Sequence, residues 1–213
     1  KTITVIPFSF MQLTVTIKKY PACFIPFAAL SMALFRFPLS RQKDKLLYKL
    51  MGSSSSGNFT FRPDWRQWVM LYFSPESPVK DYTLKSSDEI NRLLYGRFIA
   101  GWIRFFRVET FTLTFSVTGG HGSWDGFQVI KTSVTEQDDQ ESMAVLTRAT
   151  LEWTKMFRFW RSANTMNKFV KPSPGFLFGL GAGELPFLRN VTISVWKNQQ
   201  AMKSFAYANP NHL

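Results

Sequence analysis

The chain has 213 residues, 22 of them Phe and 7 Trp, with one cysteine, two histidines and a formal net charge of +12. That length admits one large domain or two small units sharing a core; the lone Cys23 excludes an internal disulfide and suits a reducing compartment, and the two histidines exclude a multi-histidine metal site. The basic residues are spread over Lys18-Lys19, 41–49, 92–107 and 155–171, with no helix-turn-helix, RNP or zinc-finger pattern; they read as solvated surface suited to an acidic partner or an anionic membrane, and not to nucleic acid.

Residues 1–10 read as an upstream extension, because Met11 is a natural start and the first well-patterned strand begins at Leu13. Residues 13–19 (LTVTIKK) alternate as a strand. Residues 24–39 (FIPFAALSMALFRFPL) are apolar but short of the roughly 20 residues of a membrane span. Arg36 interrupts them and Pro26 and Pro38 bracket them, so 25–37 is expected to be a buried helix with no transmembrane span. Residues 45–51 form a short strand, 52–63 a Ser/Gly-rich loop and 66–74 a second alternating strand. A helix is predicted over 87–106, with Ser86 or Ser87 as N-cap and Asp88 and Glu89 in its first turn. Residues 110–118 (TFTLTFSVT) have nearly perfect period two, and 119–127 (GGHGSWDGF) are expected as a loop.

The same order then repeats. Residues 143–150 read as a strand. Residues 152–170 read as a helix with Trp153, Met156, Phe157, Trp160, Ala163 and Met166 in one apolar stripe. Residues 175–181 and 188–196 are strands, and a last helix starts near Asn198. Each unit is β-α-β-β-α-β, the ferredoxin-like plan. The expectation is an α+β fold of two duplicated ferredoxin-like units forming a pseudo-dimeric α+β barrel, because each unit has one apolar sheet face to bury. The units are placed at 1–118 and 143–213, joined by a loop over 119–142, with the second lacking its last strand. Val69, Leu71 and Phe73 should be equivalent to Val191, Ile193 and Val195.

Catalytic motifs are sparse. There is no P-loop and no nucleophile elbow, and the glycines of 179–183 (GLGAG) precede a strand, which favours close packing over a dinucleotide loop. His121 sits among glycines and reads as part of a turn, though such a loop can also set a side chain at a cavity mouth. Asn209-Pro210 resembles a helix start, Asn as N-cap and Pro at N1, which puts His212 in a first turn where the dipole favours neutral imidazole. That is the metal-binding form. One such histidine beside an apolar, aromatic cavity suits a haem proximal ligand; a terminal His also serves as a capping or solvent-exposed residue.

Several segments together resemble the spheroidene monooxygenases, the acyclic carotenoid ketolases: YKLMG at 48–52, NFTFRPDWRQW at 58–68, LTRAT at 146–150, FWR at 159–161, and the run GLGAGELP at 179–186 through VTISVW and AMKSFA to Pro210–His212. The resemblance covers the chain from about Met11 to its end, and its C-terminal run is the most specific part. It implies a dimeric α+β barrel and an O₂-using, haem-dependent oxidation of a carotenoid, with an external electron donor. It implies His212 as axial ligand of the iron and, by motif position, Arg148 and Arg161 as partners of the haem propionates; His121 has no counterpart. It further implies a cytoplasmic protein, peripheral to the inner membrane, an apolar substrate and an acidic electron-transfer partner. A non-catalytic barrel domain that binds an apolar ligand or a protein partner remains open, as does another haem-barrel chemistry such as aldoxime dehydration.

Overall fold

The structure is a computed structural model that describes residues 11–42, 46–54, 63–75, 86–128, 141–155, 161, 168–185 and 189–208. The chain divides into two compact units: Lys1–Leu50 with Trp65–Thr135, and Met51–Asp64 with Glu136–Leu213. Strand β2 (Leu47–Ser54) therefore begins in the first unit and ends in the second.

The first unit carries β1 (Gln12–Lys19), helices α1 (Ile25–Leu34) and α2 (Arg36–Ser40), the start of β2, β3 (Pro63–Ser74), helix α3 (Ser87–Phe105) and β4 (Glu109–Ser116). Its strands lie in the order β4-β1-β3-β2. That is the ferredoxin-like order. β1 is antiparallel to both neighbours, with Val15 opposite Leu71 on one side and Leu113 on the other. Central position pairs both of its edges, and both of its faces are buried. Leu13 and Val15 are buried with Val69, Leu71 and Phe73 on one face; Thr14, Thr16 and Lys18 are buried on the other with Trp68, Met70 and Tyr72 beneath the helices.

The helical layer closes on aromatic rings. Ala28, Ser31, Phe35 and Leu39 form the inward stripe of the stretch Ala22–Ser40, and Phe35 meets Trp68 edge-on at 5.6 Å. The expectation that this stretch is too short to span a membrane is corrected: by length and composition its 19 residues suffice. Its stripe is nevertheless part of the first unit's core, which a spanning helix could not be. The helix expected over 25–37 is nearly continuous: Phe35 separates α1 from α2 but keeps helical φ −69° and ψ −17°, its amide donating to the Ser31 carbonyl and its carbonyl accepting from the Leu39 amide.

α3 has the expected N-cap, with the Glu89 amide donating to Ser86 Oγ at 3.3 Å. It is not one straight helix. Gly96 sits at φ +83°, ψ 171°, a backbone state open essentially to glycine, and breaks it into two arms. The arms turn back on each other, since the Arg104 guanidinium reaches Asp88 at 3.9 Å from the far end. The loop expected over 119–127 contains a small hairpin, β5 (Ser123–Trp124) with β6 (Phe127–Gln128). Asp125 and Gly126 both take positive φ, as a tight Asp-Gly hairpin turn requires.

The second unit carries the end of β2, then β7 (Met143–Thr150), β8 (Phe176–Leu185), β9 (Arg189–Trp196) and helix α4 (Gln199–Ala208). Its strand order is β8-β9-β7, with Gly52 and Ser53 of β2 paired to Gly183 and Ala182 of β8. Taken in chain order, this repeats the first unit's pattern: first strand beside third, third beside second. The fold is thus α+β with a duplicated ferredoxin-like unit. Asn198 caps α4, its Oδ1 accepting from the Ala201 amide at 2.9 Å. Phe205 of α4 packs on Trp196 at 5.1 Å and Phe176 meets the other side of that ring at 5.3 Å. Trp153–Lys155 form a short 3-10 turn. The apolar stripe expected along 152–170 falls on side chains outside those described.

Candidate functional site

The second unit's sheet has two chemically different faces. Trp196, Ser194, Thr192 and Asn190 share the α4 side of β9, and the register sets Gly179, Gly181 and Gly183 of β8 opposite the last three of these. The glycine run therefore removes side chains from the helical side of one strand, in keeping with a packing role. The other face is aliphatic: Leu180 and Ala182 of β8 flank the buried Val191 and Ile193 of β9, with Leu146 and Ala144 beyond them on β7.

Arg148 falls on that aliphatic face. It pairs with Val191 on β9 and is half-buried. The repeat shows how unusual this is. Counted from the start of each unit's first strand, Arg148 occupies the place of Ile17, which pairs with Val69 on the equivalent face of the first unit. Ile17 is half-buried too. One copy of the repeat thus sets an aliphatic side chain where the other sets a guanidinium. A guanidinium fully buried on an apolar face costs desolvation free energy, which a half-buried arginine reduces by laying its stem on the face and turning its head outward.

The other sequence-predicted site residues are not gathered with it among the described residues. Arg161 is helical and exposed. His121 is exposed in the segment leading into the β5–β6 hairpin. His212 lies outside the described residues. Among the described residues no cluster of three or more His, Cys, Asp or Glu could hold a metal ion. Haem needs an apolar wall, a cation for its propionates and one axial donor. The described residues of the second unit fit the first two requirements, through the β7–β9–β8 face and Arg148. No histidine among the described residues lies on that face, and His121 is exposed.

Composition concealed a second site in the first unit. Lys18, expected on a solvated surface, is fully buried. It shares a strand face with Thr14 and Thr16, and this polar face is the one the helices cover. Thr16 Oγ1 is hydrogen-bonded to the Tyr95 hydroxyl and, at 2.9 Å, to Thr112 Oγ1. Lys18 Nζ lies 4.2 Å from the centre of the Tyr95 ring and 5.8 Å from that of Trp68, its cross-strand partner. No hydrogen-bond acceptor reaches Nζ among the described residues. Burial alone pulls its pKa from 10.5 down to about 7. Close by, the Tyr20 hydroxyl donates to Ser31 Oγ at 2.8 Å and accepts from Trp102 Nε1 at 3.0 Å. Burial raises the Tyr20 pKa above its ordinary value. No sequence signal marks this, because alternation alone assigns a Thr-Thr-Lys face to water.

No family model matches the chain. Spheroidene monooxygenase of Rhodobacter capsulatus is 30% identical over 190 residues, covering 88% of this chain and 74% of that protein. Spheroidene monooxygenase of Cereibacter sphaeroides is 29% identical over 159 residues, 75% of this chain and 46% of that protein. The enzyme of the same name from Rubrivivax gelatinosus is 28% identical, over 74% of this chain and 57% of that protein. The chain thus spans from about half to three quarters of the length of these relatives. Among solved structures, an aldoxime dehydratase in complex with butyraldoxime aligns with 95% of this chain and 72% of its own, at a TM-score of 0.50 and 10% identity. That likeness concerns the fold alone. The sequence likeness goes further: it runs through both ferredoxin-like units, takes in the strand that bears Arg148, and identifies the chain as a member of the spheroidene monooxygenase family.

Proposed function

We propose that the chain is a haem-dependent monooxygenase that oxidises a long apolar substrate of the carotenoid class. The observation that carries this reading is membership of the family across both units. The aliphatic face of β7, β9 and β8 with one guanidinium on it supports it, since that chemistry suits a flat apolar group with anionic edges. Haem, when bound, supplies the activation of O₂. The chain's own residues bind and orient. His212 would hold the iron, Arg148 would pair with a propionate, and Arg161 is the second candidate for that pairing by motif position. The aliphatic wall keeps water from the reacting centre and packs along an extended hydrocarbon.

The net charge of +12 suits an acidic electron donor, whose approach it would speed. The protein would work in the cytoplasm, peripheral to the inner membrane, where a substrate of this kind dissolves. The second reading is an apolar-ligand or partner-binding domain without haem. An absorption spectrum of the purified chain supplied with haem separates the two. The expected result is a Soret band that is lost in His212→Ala and kept in His121→Ala. A haem-free protein under adequate supply, or an unchanged band in His212→Ala, would overturn the proposal.

A further inference from the structure

The outer surface of the first unit's helices is apolar where a water-facing layer is ordinarily polar. Leu30 and Phe37 of α1 and α2, and Leu93, Phe98 and Phe105 of α3, are all exposed, Phe37 at 67% and Phe105 at 77%. Phe27, also exposed, stacks on Phe106 at 4.7 Å, and Phe106 meets Phe105 at 4.9 Å. Phe98 contacts Phe35 at 6.3 Å and Trp102 at 6.4 Å, and Trp102 in turn meets Phe106 at 4.6 Å. These contacts link the exposed Phe27, Phe98 and Phe105 of the two helical segments through Phe106, Trp102 and Phe35.

Its charged residues are nearly all of one sign. Arg36, Arg41, Arg92, Arg97, Arg104 and Arg107 are exposed on the same segments. No carboxylate occurs over residues 20–43 or 90–108; Asp88 and Glu89, in the first turn of α3, are the nearest acids of these helices. Long arginine stems can lie along the aromatic surface while their heads reach outward.

From this patch we infer that the α1–α2–α3 face is a membrane-docking surface that lies flat on an anionic lipid leaflet. Apolar rings inserted at the headgroup level and arginines paired with anionic headgroups are the two attractions that hold a peripheral helix layer there. A second copy of the chain is a poorer occupant, because a two-fold contact would set this arginine set against itself. The inference deepens the reading of a lipid-dissolved substrate, and it is tested without substrate or haem, so either idea can fail alone.

The test is flotation of the whole chain with vesicles of phosphatidylcholine and phosphatidylglycerol at 3:1 and with pure phosphatidylcholine vesicles. The protein should float with the anionic vesicles, at least about tenfold more strongly than with the neutral ones, and detach as salt rises to about 0.5 M. Arg36→Glu with Arg97→Glu should weaken binding about tenfold or more. Leu30→Ser with Phe37→Ser and Phe105→Ser should do the same, whereas Lys203→Glu on α4 should stay within about twofold. These positions are exposed, so folding is checked by urea midpoint alongside. The inference is overturned by failure to float with anionic vesicles, by equal loss in Lys203→Glu, or by unchanged binding in both patch variants. A dimer that the Leu30, Phe37 and Phe105 changes convert to monomer, without vesicle binding, would assign the face to a second copy instead.

Discussion

Replacing Lys18 by Met should stabilise the protein, and by an amount that depends on pH. Met fills a similar volume and carries no charge to desolvate. In the fold Lys18 loses its proton near pH 7, whereas in the unfolded chain it does so near 10.5. At about 1.4 kcal/mol per unit, that gap sets a ceiling of about 5 kcal/mol on the cost of burying the charged form. The Tyr95 ring, 4.2 Å from Nζ, returns part of it, on the order of 1–2 kcal/mol for a desolvated cation over an aromatic face. The net expectation is a gain of about 3 kcal/mol for Lys18→Met at pH 7.

The sign with pH follows from proton counting. Below about 7 both states hold the proton and the cost is fully present. Between about 7 and 10.5 the unfolded chain binds more protons than the fold, so wild-type stability rises with pH. The difference between Lys18→Met and wild type should therefore shrink steadily from pH 7 to pH 10. Urea unfolding of both proteins at pH 7, 8.5 and 10 measures this, and other titrating groups cancel in the difference. A variant less stable than wild type at pH 7, or a difference that does not move with pH, would show that burial does not govern Lys18.

Three further outcomes are expected. Gly96→Ala should cost about 1–3 kcal/mol, because φ +83° with ψ 171° is closed to other residues even though the added Cβ would meet Gln42 only at 3.5 Å; a urea midpoint within about 0.5 kcal/mol of wild type would contradict it. Gly175→Ala should cost more, since it combines φ +80° with a Cβ only 2.5 Å from that of Ala201 on α4; adding Ala201→Gly should show a favourable coupling of about 1 kcal/mol or more in a double-mutant cycle, and zero coupling would mean that the two do not meet. Arg148→Ile, which copies the first unit's Ile17, should shift the urea midpoint by less than about 1 kcal/mol yet weaken haem retention in a titration followed by absorption; an unchanged titration would remove Arg148 from the site.

Period-two alternation and the repeated order of elements were enough to read the duplicated unit. Val69, Leu71 and Phe73 lie on their sheet face as Val191, Ile193 and Val195 lie on theirs. What alternation could not read was which faces are covered. It assigned Lys18 to water because Thr14, Thr16 and Lys18 make a polar stripe, yet the Tyr95 and Thr112 hydroxyls satisfy Thr16, Thr114 Oγ1 lies 3.4 Å from Thr14 Oγ1, and helices close over them. Helical spacing likewise gave α3 as one element, since a lone glycine in a helix is ordinarily tolerated. Gly96 breaks it, because the chain must bring Ser87 back to Thr110, where their hydroxyls meet at 3.2 Å. The site itself was legible only through motif likeness: nothing in the spacing of Arg148 distinguishes it from a surface arginine.

Duplication supplies the control that single sequences lack. Two copies of one unit meet the same backbone demands, so a position that differs between them is released from the fold's requirement. Position 17 shows that the sheet accepts an aliphatic residue there, half-buried beside Val69. Position 148 shows a guanidinium in the same place beside Val191. The strand geometry therefore does not explain the arginine, and burial argues against it. Arg148 is therefore the position at which the two copies differ most in chemistry, and the haem reading proposed above is what would give that difference a use. The same comparison separates Lys18 from Arg148. Lys18 corresponds to Ala149, but it is sealed beneath helices with aromatic rings around it, where an external ligand has no approach. The buried lysine is thus a cost to stability that the fold carries, and Arg148→Ile is the substitution that asks whether its strand face has any part in ligand binding.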